Sequence, residues 1–312
     1  MVIVKIMGGL GNQMFQYAAG RRLAIRRNTN LKLDLTNYSS GAEQRGPGLG
    51  AFSRRYALEA FQICATEASE SEICALRDSH FRATTFSRAV RIVRKFWASF
   101  LWKKTHYQER SYRFDDEVMC LPDMTYLLGF WQSPKYFSDV SDEIRKDFTT
   151  KEILSLEKAN KAIDSLRSSG GKVVSLHVRR GDMAHAVEKL QNKKIIHSGP
   201  VDIEYINRAI KHFSSDSQFL VFSDTDTDIE WCRNNILGSN IRFSSGNTDL
   251  EDFLLMSACD HHIIANSTFS WWAAWLNNKP GKRVIAPRQW SFPSAKFKPV
   301  VDTLIPSDWQ II

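Results

Sequence analysis

The chain has 312 residues, 43% of them hydrophobic and 24% charged, with 16 Gly, 9 Pro and a net charge of +8. That length favours two domains over one, and the composition excludes the disordered, collagenous and disulfide-scaffold classes. No window reaches the roughly 18 apolar residues of a membrane span, and Met1 leads straight into a strand without a secretory pattern, so a soluble cytoplasmic protein is expected.

Residues 2–6 read as a strand that enters the turn Gly8-Gly9-Leu10-Gly11, and a helix is expected over 12–27. A strand at 31–35 and a polar loop at 37–50 come next. Residues 86–104, FSRAVRIVRKFWASFLWKK, place Val90, Val93, Trp97 and Leu101 on one helical face and Arg88, Arg91, Arg94 and Lys95 on the other. Such a basic amphipathic helix either lies on an anionic membrane surface or packs with its basic face in solvent. Nucleic-acid binding is not expected, because no basic-aromatic module or metal finger accompanies the stretch. A strand near 126–130 and a charged helical stretch over 138–168 lead to Gly170-Gly171, which puts the domain junction near 150 and the domains at 1–150 and 151–312.

The second half alternates short apolar runs with helical stretches. Strands are expected at 172–178, 218–223, 241–245, 261–266 and 282–287, and helices at 203–213, 226–237, 248–259 and 268–277. That alternation predicts an α/β domain with a parallel sheet covered on both faces. Ligands of such a sheet gather at the carboxyl ends of its strands.

Three motifs sit at those ends. HVRRGD (177–182) places Arg179 and Arg180 directly after a strand, where desolvation makes them poor stabilisers but good bidentate partners of a diphosphate. Asp182 could hold one of them in place. ANSTFSWWAAWL (265–276) offers a helix start with Asn266, Ser267 and Thr268, either an anion site or an N-cap by Ser267. Trp271, Trp272 and Trp275 read as core packing. FSDTDTDIEW (222–231) offers Asp-x-Asp pairs that could hold a metal, but capping of the following helix is the favoured reading.

The opening turn fits two-thirds of a dinucleotide fingerprint. Gly9 and Gly11 match, Met14 stands where a third glycine belongs, and Asp34 imitates the ribose-binding carboxylate. On spacing alone an NAD(P)-dependent enzyme is therefore an alternative. The five scattered cysteines show no metal-ligand spacing and are expected to be reduced and mostly buried.

Together, GGLGNQMFQYAAG, HVRRGD and DFLLMSACDHHIIANSTFSWWAAWL (252–276) resemble the α-1,2-fucosyltransferases of glycosyltransferase family eleven. The resemblance spans nearly the whole chain. It implies a GT-B fold, two Rossmann-like α/β domains with parallel sheets facing an interdomain cleft: an acceptor-side domain first, a GDP-fucose-binding domain second. It further implies inverting transfer of L-fucose from GDP-β-L-fucose to O2 of a terminal β-linked galactose, on an oligosaccharide or surface-polysaccharide precursor, without a required metal or other cofactor.

Carried onto this sequence, the resemblance assigns Arg179 and Arg180 to the diphosphate. It gives Ser267 and Thr268 hydrogen bonds to it, with Asn266 and Ser270 in the same run. His177 would lie beside the transferred sugar and Asp249 near the guanine, with Gly9, Gly11, Asn12 and Gln13 approaching the fucose and its diphosphate end. Asp34, Asp182 and His177 remain as alternatives for the base. A non-catalytic galactoside-binding protein is the remaining function class, and peripheral contact with an anionic inner-membrane face would suit the 86–104 segment.

Overall fold

The computed structural model describes residues 1–38, 55–77, 105–168, 170–180, 202–290 and 301–312. The 86–104 segment and Asp182 lie outside the described residues. Those described divide into two compact units, the first ending at Thr149 and the second beginning at Thr150.

The first unit runs β1 (Val2–Lys5), α1 (Leu10–Arg26), β2 (Leu31–Asp34), β3 (Thr66–Glu67), α2 (Glu70–Arg77), β4 (His106–Gln108), β5 (Thr125–Leu128) and α3 (Ser141–Asp147). Its strands pair in parallel in the order β3-β2-β1-β5-β4. β1 is central and buried at every position, so it reads as an unbroken apolar run instead of an alternating one. Helix α1 starts two residues earlier than expected, with Gly9 as its N-cap. Met14, Phe15, Ala18 and Leu23 bury one face of it. Its outer face is tied down by charge: Arg22 and Arg26 pair with Asp139 at 3.0 and 2.9 Å. Tyr17 and Arg21 both donate to Asp147 Oδ2 at 2.7 Å.

The second unit opens with α4 (Ile153–Ser168). It continues through β6 (Val173–Val178), α5 (Ile203–Ile210), β7 (Gln218–Ser223), α6 (Asp226–Asn235), β8 (Ile241–Phe243) and α7 (Asp249–Ala258). The remainder is β9 (His261–Ile263), α8 (Thr268–Leu276), β10 (Val284–Ala286), α9 (Val301–Leu304) and β11 (Gln310–Ile311). The sheet is parallel throughout, in the order β11-β10-β9-β6-β7-β8. The chain therefore winds outward from β6 through β7 and β8, then returns to β9 on the other side of β6. This is the doubly wound order, with its switch point between β6 and β9. Val174, Leu176, Val178, Val221, Ile263 and Ile285 form its core.

Three polar residues buried beside that core satisfy one another. Ser175 Oγ lies 2.8 Å from His262 Nδ1, and Asn277 Nδ2 lies 2.7 Å from His262 Nε2. Burial holds the His262 imidazole far below its ordinary range, hence neutral. Beside them Trp271, Trp272 and Trp275 are buried and in ring contact with one another. The packing reading of the tryptophans holds.

Two parallel α/β units agree with the sequence expectation. One expectation fails: Cys64, Cys74 and Cys120 are exposed, and only Cys232 and Cys259 are buried, all five being free thiols. The elements missed, β3, α2, β4, α9 and β11, are short. β3 has two residues, both exposed, too few to display any period.

Candidate active site

At the switch point, β6 ends at Val178 and hands the chain to Arg179 and Arg180, while the segment after β9 reaches the start of α8 at Thr268. Arg179 Nη1 lies 3.4 Å from Ser267 Oγ. Ser267 is the N-cap of α8, yet its side chain makes no capping hydrogen bond. Its hydroxyl faces the arginine, so the capping alternative is set aside. Ser267 and Asn266 are buried, and Thr268 is half-buried. Ser270 is a correction: it is wholly buried, and its hydroxyl donates to the Ser267 carbonyl at 3.3 Å.

The neighbouring strand supplies the arginines' partners. In the β6–β7 register, Val178 is opposite Ser223, so the next step brings Arg179 alongside Asp224. Arg179 Nε is 3.9 Å from Asp224 Oδ2, and Arg180 Nε is 3.8 Å from Asp228 Oδ1. The Arg180 guanidinium also lies over the Trp231 ring, 3.8 Å from its centroid, a favourable cation–π stack. The cap of α6 is Thr225 and not an aspartate: its Oγ1 accepts from Asp228 N at 3.1 Å, while Asp226 and Asp228 stand in the first turn, where the helix dipole favours them. Sequence reasoning missed that two carboxylates of this stretch, Asp224 and Asp228, lie against the two arginines. The available signal was that they follow the strand next to HVRRGD.

His177 is 4% exposed. Burial pushes its imidazole down to about 3, helped by the Arg179 charge, so the ring is neutral throughout the physiological range. Among the described residues its buried Nδ1 has no hydrogen-bond partner, and Phe269 packs 6.1 Å away. A ring this reluctant to take a proton is a poor base near pH 7. In the acidic cluster, Asp249 is the exposed first residue of α7. Glu251 completes a capping box with Thr248, and Asp252 accepts from Ser244 Oγ at 2.7 Å and Asn247 Nδ2 at 3.0 Å. Only Asp249 of the three is left to solvent.

The glycine turn belongs to the first unit, at the carboxyl edge of its own sheet. Gly8 has φ +78°, a left-handed conformation that favours glycine, and a Cβ there would sit 2.8 Å from Asn12 Nδ2 and displace that amide. Gly9 caps α1 and Gly11 is buried in its first turn. Asn12 Oδ1 accepts from Gln132 Nε2 at 2.9 Å.

Gln13 is a correction. Fully buried, it donates to the carbonyls of Gly8 and Arg55 at 2.9 and 2.8 Å and accepts from Ala57 N at 2.9 Å; it staples the turn and has nothing left for a ligand.

Asp34 is consumed likewise. It is wholly buried and bound by Lys5 Nζ at 3.1 Å, Thr36 Oγ1 at 2.6 Å and the Tyr126 hydroxyl at 2.6 Å. Burial alone would raise its carboxyl, but the hydrogen bonds from Thr36 and Tyr126 and the Lys5 charge hold it below the usual range. It is neither a ribose ligand nor a base.

Residues 1–309 match the profile of Glycosyl transferase family 11. The chain belongs to that family. Its relatives include the alpha-1,2-colitosyltransferase of Escherichia coli, 35% identical over 298 residues, with 93% of this chain and 92% of that one covered. The O-antigen biosynthesis glycosyltransferase WbnK of Escherichia coli is 29% identical over 315 residues, covering 96% of this chain and 98% of WbnK. Galactoside alpha-(1,2)-fucosyltransferase 2 of Mus musculus is 31% identical over 156 residues, 47% of this chain and 43% of the mouse protein.

For a family 11 glycosyltransferase, the second unit thus supplies two guanidinium groups held by carboxylates and an aromatic face, beside a neutral histidine. Among its described residues no helix is long and apolar enough to cross a membrane.

Proposed function

We propose that the enzyme transfers L-fucose from GDP-β-L-fucose to O2 of a terminal β-linked galactose, with inversion at the anomeric carbon. The reading is carried by Arg179, set at the switch point of the second sheet beside Ser267 and the start of α8. In the transfer, the bond from the anomeric carbon to the diphosphate oxygen breaks and the diphosphate keeps the electron pair. The galactose O2 forms the new bond and gives up its proton to water or to the departing diphosphate. Charge therefore grows on the diphosphate, and a pre-set guanidinium aimed at it lowers the barrier. Arg180 and Thr268 complete the anion site, and Asp249 is available to the guanine.

Two fixed positive charges supply what a divalent cation would supply to a diphosphate, so no metal is required in this reading. Activity is expected to persist in EDTA, and loss restored by manganese would overturn the metal-free reading. An NAD(P) enzyme would be stabilised thermally by NAD; here GDP alone is expected to raise the melting temperature.

The relation to the colitosyltransferase, at 35% identity over 93% of this chain, favours a second donor. Colitose is the 3-deoxy counterpart of fucose, and the same anion site would take its GDP derivative. The deciding experiment offers GDP-fucose and GDP-colitose separately with a panel of β-galactosides, followed by linkage analysis. An α-1,2 product from GDP-fucose is expected. Product from GDP-colitose alone moves the donor assignment to the 3-deoxy sugar, and absence of product from both overturns the reading.

A further inference from the structure

Glu109 directly follows β4, at the carboxyl edge of the first sheet. One carboxylate oxygen accepts from Phe130 N at 2.7 Å and the other from Trp131 N at 3.1 Å. Both donors belong to the turn that leaves β5. The fit is close: a Cβ on Gly129 would lie 2.4 Å from Glu109 Cβ and 2.9 Å from the Trp131 ring. Trp131 is fully buried and has φ +55°, a left-handed conformation that a bulky residue holds only when its surroundings impose it. The next residue, Gln132, reaches Asn12 Oδ1 with its amide at 2.9 Å. One carboxylate thus fixes a strained turn, and that turn delivers the side chain that pins Asn12.

We propose that Glu109 is a positioning residue for the acceptor-side loop, its ionised carboxylate holding the Gly129–Gln132 turn and, through Gln132, Asn12. The inference rests on the transfer reading above. An ionised carboxylate accepts at both oxygens, whereas the acid turns one of them into a donor and leaves an N–H poorly matched. Glu109 sits near that switch: burial pushes its carboxyl up to about 7, against the two N–H groups that favour the ionised form. Among the described residues no cation pairs with it. Tyr112 and Tyr136 are the titratable groups around it, and its charge helps keep both phenols protonated.

The test measures transfer to a β-galactoside between pH 6 and 8 for the wild type, Glu109→Gln and Gln132→Ala. The wild type is expected to gain activity through about pH 7, while both variants lose the pH limb and about 100-fold in acceptor kcat/KM. GDP affinity is expected to stay unchanged in both. Gln132→Ala leaves the carboxylate in place and breaks only the link to Asn12. A limb at pH 7 that survives in Gln132→Ala overturns the proposal, since it would mark Glu109 as acting on substrate itself. So does Glu109→Gln with wild-type rates.

If neither sugar nucleotide is turned over, the transfer reading fails first, and melting temperature decides the clamp. The folded-state carboxyl is raised, so its stabilisation is present at low pH and lost as pH rises through about 7. Glu109→Gln is expected to flatten that decline, and an unchanged slope refutes the titration.

Discussion

Arg179→Ala is expected to lower kcat/KM for sugar transfer by about 1,000-fold, the range seen when one fixed donor to a developing negative charge is removed. That corresponds to about 4 kcal/mol of transition-state stabilisation. Alanine removes the group 3.4 Å from Ser267 Oγ and leaves Asp224, 3.9 Å from the lost Nε, as a net negative charge where a diphosphate would sit. The variant therefore exchanges attraction for repulsion, and GDP affinity should fall together with turnover. The fold should not suffer, because a half-exposed ion pair of this length contributes at most about 1 kcal/mol. Steady-state kinetics with a GDP thermal-shift assay checks both halves. Near wild-type turnover would remove Arg179 from the active site.

The largest stability effect is expected at Trp271. Truncation to alanine should cost about 3–5 kcal/mol, the usual penalty for emptying a large buried aromatic site. Trp271 is fully buried and stacks on Trp275 with centroids 6.3 Å apart. Its rings also meet those of Trp272 at 5.1 Å and Trp309 at 5.4 Å. Its Nε1 donates to the Leu304 carbonyl at 3.0 Å, so the variant also orphans a buried acceptor. Trp271→Phe should recover much of the packing but not that bond. Chemical denaturation gives the readout, and a loss below about 1 kcal/mol would show that the cluster collapses freely around the gap.

Why some of this was legible and some was not follows from how far each residue's cause lies along the chain. β6 and β7 announce themselves because every position of β6 and all but the last of β7 are buried, and the runs end where arginines and aspartates begin. The capping box of α7 is a local event, with Thr248 and Glu251 lying within four residues of one another.

By contrast, the job of Asp224 depends on β7 lying beside β6 in one register. No pattern within 222–231 contains that. Asp34 misled for the same reason: its carboxylate has a ribose-like position in sequence, but Lys5, Thr36 and Tyr126 close on it from three segments. Gln13 is another such case. A polar residue next to a glycine turn looks available until Arg55 and Ala57 arrive to satisfy it. Glu109 had no signal at all, since its partners are backbone N–H groups, which every residue but proline possesses.

The placement of Arg179 against Ser267 also has a consequence for the order of folding. The two residues are 88 positions apart, and they meet only where β6 pairs with β9. Closing a loop of that length costs about 4 kcal/mol in chain entropy, which the surrounding sheet must recover before the contact can persist. β6 can find β7 earlier, through a shorter connection, so the half-sheet β6-β7-β8 can assemble with an incomplete anion site along its edge. Recovery of GDP binding during refolding would then lag behind recovery of secondary structure, and would time the moment at which the two halves of the sheet join.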